Sequence, residues 1–127
     1  MAISKIQAES MNLADTYAFT GSVSGTETLQ AWVNFDGSGT VAIRDSGNVT
    51  SITDNGTGDY TVNFTNAMPD ANYSIVGSSG GAGGTSSGAV YLNDQATART
   101  TALCRLALVT TAGGIVDTPQ INVAIFR

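Results

Sequence analysis

From Leu29 onward the apolar residues of this chain recur at every second position, and each such run stops at a cluster of Gly, Asn, Asp, Ser or Pro. A period of two places alternate side chains on opposite faces of an extended backbone, so this pattern predicts strands with one buried face. Ala31–Phe35 reads as a strand, Asp36–Gly39 as a turn and Thr40–Arg44 as its hairpin partner. Asp45–Gly47 turns the chain into Asn48–Thr53, and Asp54–Gly58 turns it again into Asp59–Phe64, where Tyr60, Val62 and Phe64 alternate cleanly. A corner at Ala67–Asp70 precedes Asn72–Val76. Beyond a Gly/Ser loop, Ala89–Leu92, Arg99–Val109 and Gln120–Phe126 read as strands, the last with Ile121, Val123 and Ile125 on one side. About eight strands at this spacing predict an all-β antiparallel sandwich, jelly-roll-like, or a closed barrel.

Residues 1–28 differ. Ala2–Ala14 has the form of a short helix, with Ser4 and Gln7 in capping-box spacing and Ile3, Ile6 and Leu13 on one narrow stripe. So short a helix is marginal alone and needs a partner. Residues 1–28 are therefore read as a helix and lead-in segment for oligomerisation through Ile3, Ile6 and Leu13, and residues 29–127 as the sandwich domain.

Only 12% of the residues are charged, about half the usual share. Either Ser, Thr, Asn and Gly make up the surface, or copies of the chain cover it, and both can hold. The net charge of −5 and the single lysine, Lys5, leave no basic stripe for nucleic acid or for an anionic membrane. No apolar run reaches the length of a membrane span, and the first residues lack the form of a signal peptide. The four Asn-X-Ser/Thr triplets, at Asn48, Asn55, Asn63 and Asn72, are then by-products of an Asn- and Thr-rich β sequence. Cys104 is alone, so a disulfide scaffold is excluded, and its apolar surroundings predict a buried thiol.

There is no histidine, which removes the commonest general base and every Ser-His or Cys-His nucleophile pair. A two-carboxylate glycosidase is the one enzyme class left to test, but Asp36, Asp45, Asp54, Asp59, Asp70 and Asp117 all lie beside turn-forming residues, where Asp bonds its own backbone. No catalytic residue, cofactor or metal is assigned. The oxygen-rich Asp54–Asp59 stretch lacks the spaced ligands and terminal Glu of an EF-hand and reads as a tight turn. Gly77–Gly88 carries six glycines in twelve residues. It reads as a connection between strands, or as an exposed loop whose Gly80, Gly81, Gly83 and Gly84 offer free amides to a ligand. Trp32, Tyr60, Tyr73 and Tyr91 could stack against a sugar, though core or interface packing is the commoner use of such rings. Trp32, Tyr73 and Tyr91 join the four glycines as candidate ligand contacts.

The stretch Trp32–Arg44, with Asn48–Phe64 and Pro69–Tyr73, resembles the distal domains of virion structural proteins of tailed bacteriophages, such as tail fibres and fibre tips. The opening Lys5–Gly21 resembles the lead-in that precedes such a domain. The resemblance covers most of the chain and fades after Val76. It implies a trimer around a three-fold axis, displayed on the virion after assembly in the host cytoplasm beside other virion proteins. The implied role is attachment to a bacterial surface glycan or protein receptor, with no enzyme activity, no nucleic acid and no membrane insertion. A head decoration or other structural virion protein, and a small oligomeric lectin, are the alternative expectations.

Overall fold

The computed structural model describes residues 28–80, 90–94 and 99–127. Eight strands run in order: β1 (Leu29–Asp36), β2 (Ala42–Gly47), β3 (Val49–Gly56), β4 (Asp59–Phe64), β5 (Ser74–Gly80), β6 (Val90–Asp94), β7 (Leu103–Thr110) and β8 (Gln120–Phe126). They form two four-stranded sheets, β2-β1-β8-β5 (sheet A) and β3-β4-β7-β6 (sheet B), with every pairing antiparallel. The predicted all-β architecture is thus present. No helix occurs among the described residues, and the helix expected at Ala2–Ala14, with Ile3, Ile6 and Leu13, lies outside them.

The period-two pattern becomes the core. Ala31, Val33 and Phe35 of β1 and Ile121, Val123 and Ile125 of β8 point inward from sheet A, opposite Tyr60, Val62 and Phe64 of β4 and Cys104, Leu106 and Leu108 of β7. Each fully buried side chain of this size contributes about 1.5–3 kcal/mol. Two edge-to-face aromatic contacts cross the layers, Phe35 on Tyr60 at 5.3 Å and Phe64 on Tyr73 at 5.8 Å.

A polar cluster pins each end of the sandwich. At one end the buried Tyr60 hydroxyl lies 2.6 Å from Asp117 Oδ1 and 2.7 Å from the Gly37 carbonyl, two acceptors for its one proton. The Gly58 amide also donates to Asp117 Oδ1 (2.6 Å). Gly58 is left-handed (φ 64°), and a Cβ there would stand 2.7 Å from the Val116 nitrogen, so neither the conformation nor the space admits a side chain. At the other end the chain passes from sheet A to sheet B in one residue, Asn48, whose backbone is left-handed (φ 56°). Its side chain donates to the carbonyls of Gln30 (3.0 Å) and Asn66 (3.1 Å) and accepts from the Asn66 amide (2.7 Å). Beside it, Arg99 lies 4.9 Å over the Tyr73 ring, and Arg127 makes a bidentate pair with Asp70 (3.0 and 2.7 Å).

The strand limits shift where turns are tighter than the sequence implied. Asp45–Gly47 belongs to β2, because Asn48 alone makes the corner. The β3–β4 turn shrinks to Thr57–Gly58, and β5 runs on through Gly80 into the stretch read as loop. The last long strand begins at Leu103, not Arg99, because the Thr100 hydroxyl accepts from the Ala102 and Leu103 amides (3.1 and 3.2 Å) and bends the chain there.

Candidate functional site

The outer faces of the two sheets differ in chemistry. On sheet B, Asn63 Nδ2 donates to the hydroxyls of Ser51 (3.1 Å) and Thr53 (3.0 Å), and Asn55 Nδ2 to that of Thr61 (2.9 Å). Arg105 grips Asp59 with two bonds of 2.8 and 2.6 Å and holds its carboxyl below the usual carboxylate range. Around β3 and β4 that face is polar, and its side chains bond one another.

The outer face of sheet A carries three of the four exposed large hydrophobic residues among those described: Leu29 (51%), Trp32 (36%) and Val76 (53%). Register explains their grouping. Trp32 of β1 stands opposite Ala124 of β8, which stands opposite Val76 of β5, so the three form one row across the sheet. The next outward row is Asn34, Asn122 and Ser78. Because Ala124 is small and its two neighbours are large, the centre of the first row is low and its flanks are high. The result is a groove of about 460 Å³, lined by Trp32, Asn34, Val76, Ser78, Asn122 and Ala124 with backbone from Val33, Gly77 and Val123.

Trp32 is held in place. It pairs with Gly47 of β2, and a Cβ on Gly47 would lie 2.8 Å from indole Cδ1 and 3.2 Å from Cε2. The indole therefore lies across the bare backbone of β2, with more than a third of its surface exposed. In the second row Asn34 Nδ2 donates to Asn122 Oδ1, and Asn122 Nδ2 donates to the Ser78 hydroxyl (3.3 Å). Each amide uses one of its two N–H groups in this ladder and keeps the other.

Of the described candidate contacts read from the sequence, Trp32 lines this groove. Tyr73 is 2% exposed, with its hydroxyl placed to donate to the carbonyls of Thr100 (2.9 Å) and Leu103 (3.0 Å). Its ring is buried in the core, in edge-to-face contact with Phe64 and under the Arg99 guanidinium. Tyr60 is likewise core. Gly80 ends β5 opposite Gln120 at the sandwich rim, away from the Trp32 row. Tyr91 is placed in β6 of sheet B, the other sheet from Trp32. Gly81, Gly83 and Gly84 lie outside the described residues. Asn34, Ser78, Asn122 and Ala124 were not singled out from sequence. Asn at outward strand positions is unusual enough to be a signal, but its meaning depends on a β1–β8 pairing that spans 88 positions.

Several of the described carboxylates serve structure. Asp36, Asp54 and Asp70 accept from the amides of Ser38 (2.9 Å), Gly56 (2.9 Å) and Asn72 (2.7 Å), the turns expected of them. The Asp54–Asp59 stretch joins the end of β3 to the start of β4 through a two-residue turn at Thr57–Gly58, with its end carboxylates engaged by Gly56 and Arg105. No cluster of His, Cys, Asp and Glu suited to a metal ion occurs among the described residues. Cys104 is buried, and burial pushes its thiol up to about 12. No helix among the described residues is long and apolar enough to cross a membrane. No family model, curated protein or solved structure matches the chain.

Proposed function

We propose that this chain is a virion attachment module of a tailed bacteriophage: a jelly-roll-like β-sandwich, trimeric through residues 1–28, that binds a glycan or protein receptor on the bacterial surface without catalysing a reaction. The observation that carries this reading is the contrast between the two sheet faces. Around β3 and β4 sheet B presents polar side chains that bond one another, whereas sheet A presents a groove with an exposed indole and a neighbouring amide ladder. A contiguous apolar patch beside ordered polar groups is what an interaction surface provides. The resemblance of Trp32–Tyr73 to fibre-tip domains supports the same role, as does a makeup in which Ser, Thr, Asn and Gly replace charge. Other virion proteins would hold the module in place, after assembly in the host cytoplasm.

The test combines native mass measurement with adsorption of fluorescently labelled protein to a panel of bacterial strains. A trimer that binds some strains saturably supports the reading. A monomer, or binding to no strain together with location on the head in labelled virions, overturns it in favour of a decoration protein.

A further inference from the structure

We propose that the groove between Trp32 and Val76 is a binding site for a neutral oligosaccharide, with one pyranose ring stacked on the Trp32 indole and the hydroxyls of the next bonded to the Asn34–Asn122–Ser78 ladder. This deepens the attachment reading and rests on it for the source of the glycan.

The two rows divide the work. A pyranose has an apolar C–H face and a rim of hydroxyls, so it needs a flat apolar surface beside groups that both donate and accept. The first row offers the exposed indole, and Ala124 and Val76 continue the apolar strip beside it. Strands about 4.8 Å apart put the backbones of Trp32 and Val76 about 10 Å from each other, and outward residues on one strand are about 7 Å apart. The indole leans toward β2, so Asn122 lies about two strand spacings from it, within reach of the next sugar of an oligosaccharide whose first ring stacks on the indole. The ladder's spare N–H groups donate, while its carbonyl and hydroxyl oxygens accept. Bonds between Asn34, Asn122 and Ser78 already order these side chains, so binding sacrifices little of their rotational freedom. The indole is likewise fixed by its seat on Gly47.

The lining identifies the ligand as uncharged. None of its nine residues carries a formal charge. An anionic sugar, a phosphate or a lipid headgroup would meet no cation there, in a chain whose net charge is −5. The face of a second copy fits less well. A stable contact between copies needs about 800 Å² on each side and a well-packed apolar centre, whereas the centre of this face is a concavity with amides along one side.

Trp32 is the single tryptophan, so emission excited selectively from tryptophan, beyond the absorption of the four tyrosines, reports on this site alone. The experiment titrates the full-length protein with neutral oligosaccharides of glucose, galactose and N-acetylglucosamine, and with sialyllactose as the anionic control. Saturable quenching or a shift of the emission by a neutral oligosaccharide, with no response to sialyllactose, is the expected result. Ala124→Phe fills the low centre of that strip and should abolish the response while leaving the unfolding midpoint near that of the parent. Asn122→Ala, which only cuts the ladder, should weaken binding about tenfold. The inference is overturned if no neutral sugar changes the emission, if sialyllactose does so equally, or if sugar binding measured by calorimetry survives Ala124→Phe. Shielding of Trp32 from acrylamide in the sugar-free oligomer also overturns it, because the face would then be a contact between copies. Cell adsorption separates this inference from the attachment reading. Adsorption that persists in Ala124→Phe refutes the groove alone, whereas a sugar response without adsorption to any strain refutes attachment alone.

Discussion

Replacing Asn48 by alanine tests whether the passage between the two sheets depends on the residue that makes it. Asn48 holds a left-handed backbone (φ 56°) and three side-chain bonds of 2.7 to 3.1 Å, which tie Gln30 of β1 and the Asn66 segment to one corner. Alanine in that conformation costs about 1 kcal/mol. Each lost bond, partly exposed, adds about 0.5–1 kcal/mol, for a total of about 3 kcal/mol. At roughly 4 °C per kcal/mol for a chain of this size, the unfolding midpoint should fall by about 12 °C. Asn63→Ala is the control. Its amide makes bonds of 3.4, 3.1 and 3.0 Å on the outer face of sheet B, within regular strand backbone. Without the conformational cost and with water ready to replace the partners, it should fall by no more than about 4 °C. Thermal unfolding followed by circular dichroism, at fixed protomer concentration, measures both. Equal losses for the two variants would refute the claim that the left-handed crossover sets the requirement for asparagine.

Three further outcomes follow from the described interactions. Tyr60→Phe removes a buried hydroxyl that bridges Asp117 and Gly37, and should cost about 1–2 kcal/mol in urea unfolding while leaving the near-ultraviolet spectrum native in shape. Cys104 has a buried thiol raised to about 12, so it should resist a thiol reagent at pH 8 in the native protein and react with one equivalent in denaturant. The Arg105 guanidinium holds Asp59 below its ordinary value of 3.8. A depressed folded-state pKa gives stability that is whole above the unfolded value and lost as pH falls through the folded one. Asp59→Asn should therefore lower stability at pH 7 and flatten the decline below about pH 4, leaving the shares of Asp36 and Asp70, which Ser38 and Arg127 hold low.

The core was legible because alternation is a local signal. Tyr60, Val62 and Phe64 in β4, and Ile121, Val123 and Ile125 in β8, needed only a count of two to be placed inward, and both strand ranges match the reading. Turn limits were less legible. Asp45, Ser46 and Gly47 look like a turn by composition, yet extended pairing with β1 holds them in a strand, and Asn48 absorbs the reversal alone. Gly77–Gly80 has the composition of a loop, yet β8 offers it a free edge and the backbone pairs through Gly80. The candidate site was legible only at Trp32. A groove depends on which strands are neighbours, and the juxtaposition of Trp32, Ala124 and Val76 follows from the order β1-β8-β5, which no local pattern encodes. Tyr73 shows the converse. Its sequence context resembles that of Trp32, and only the packing against Phe64 and Arg99 distinguishes a core ring from an exposed one.

An attachment module with one working face should lose adsorption when that face is altered and keep it when the opposite face is altered. The direct measurement is adsorption to a strain that binds the parent protein, comparing Trp32→Ala on sheet A with Thr53→Lys on sheet B, each first shown to unfold as the parent does. The account predicts strong loss for Trp32→Ala and near-parental adsorption for Thr53→Lys. Undiminished adsorption of Trp32→Ala, or its loss in Thr53→Lys alone, would contradict it.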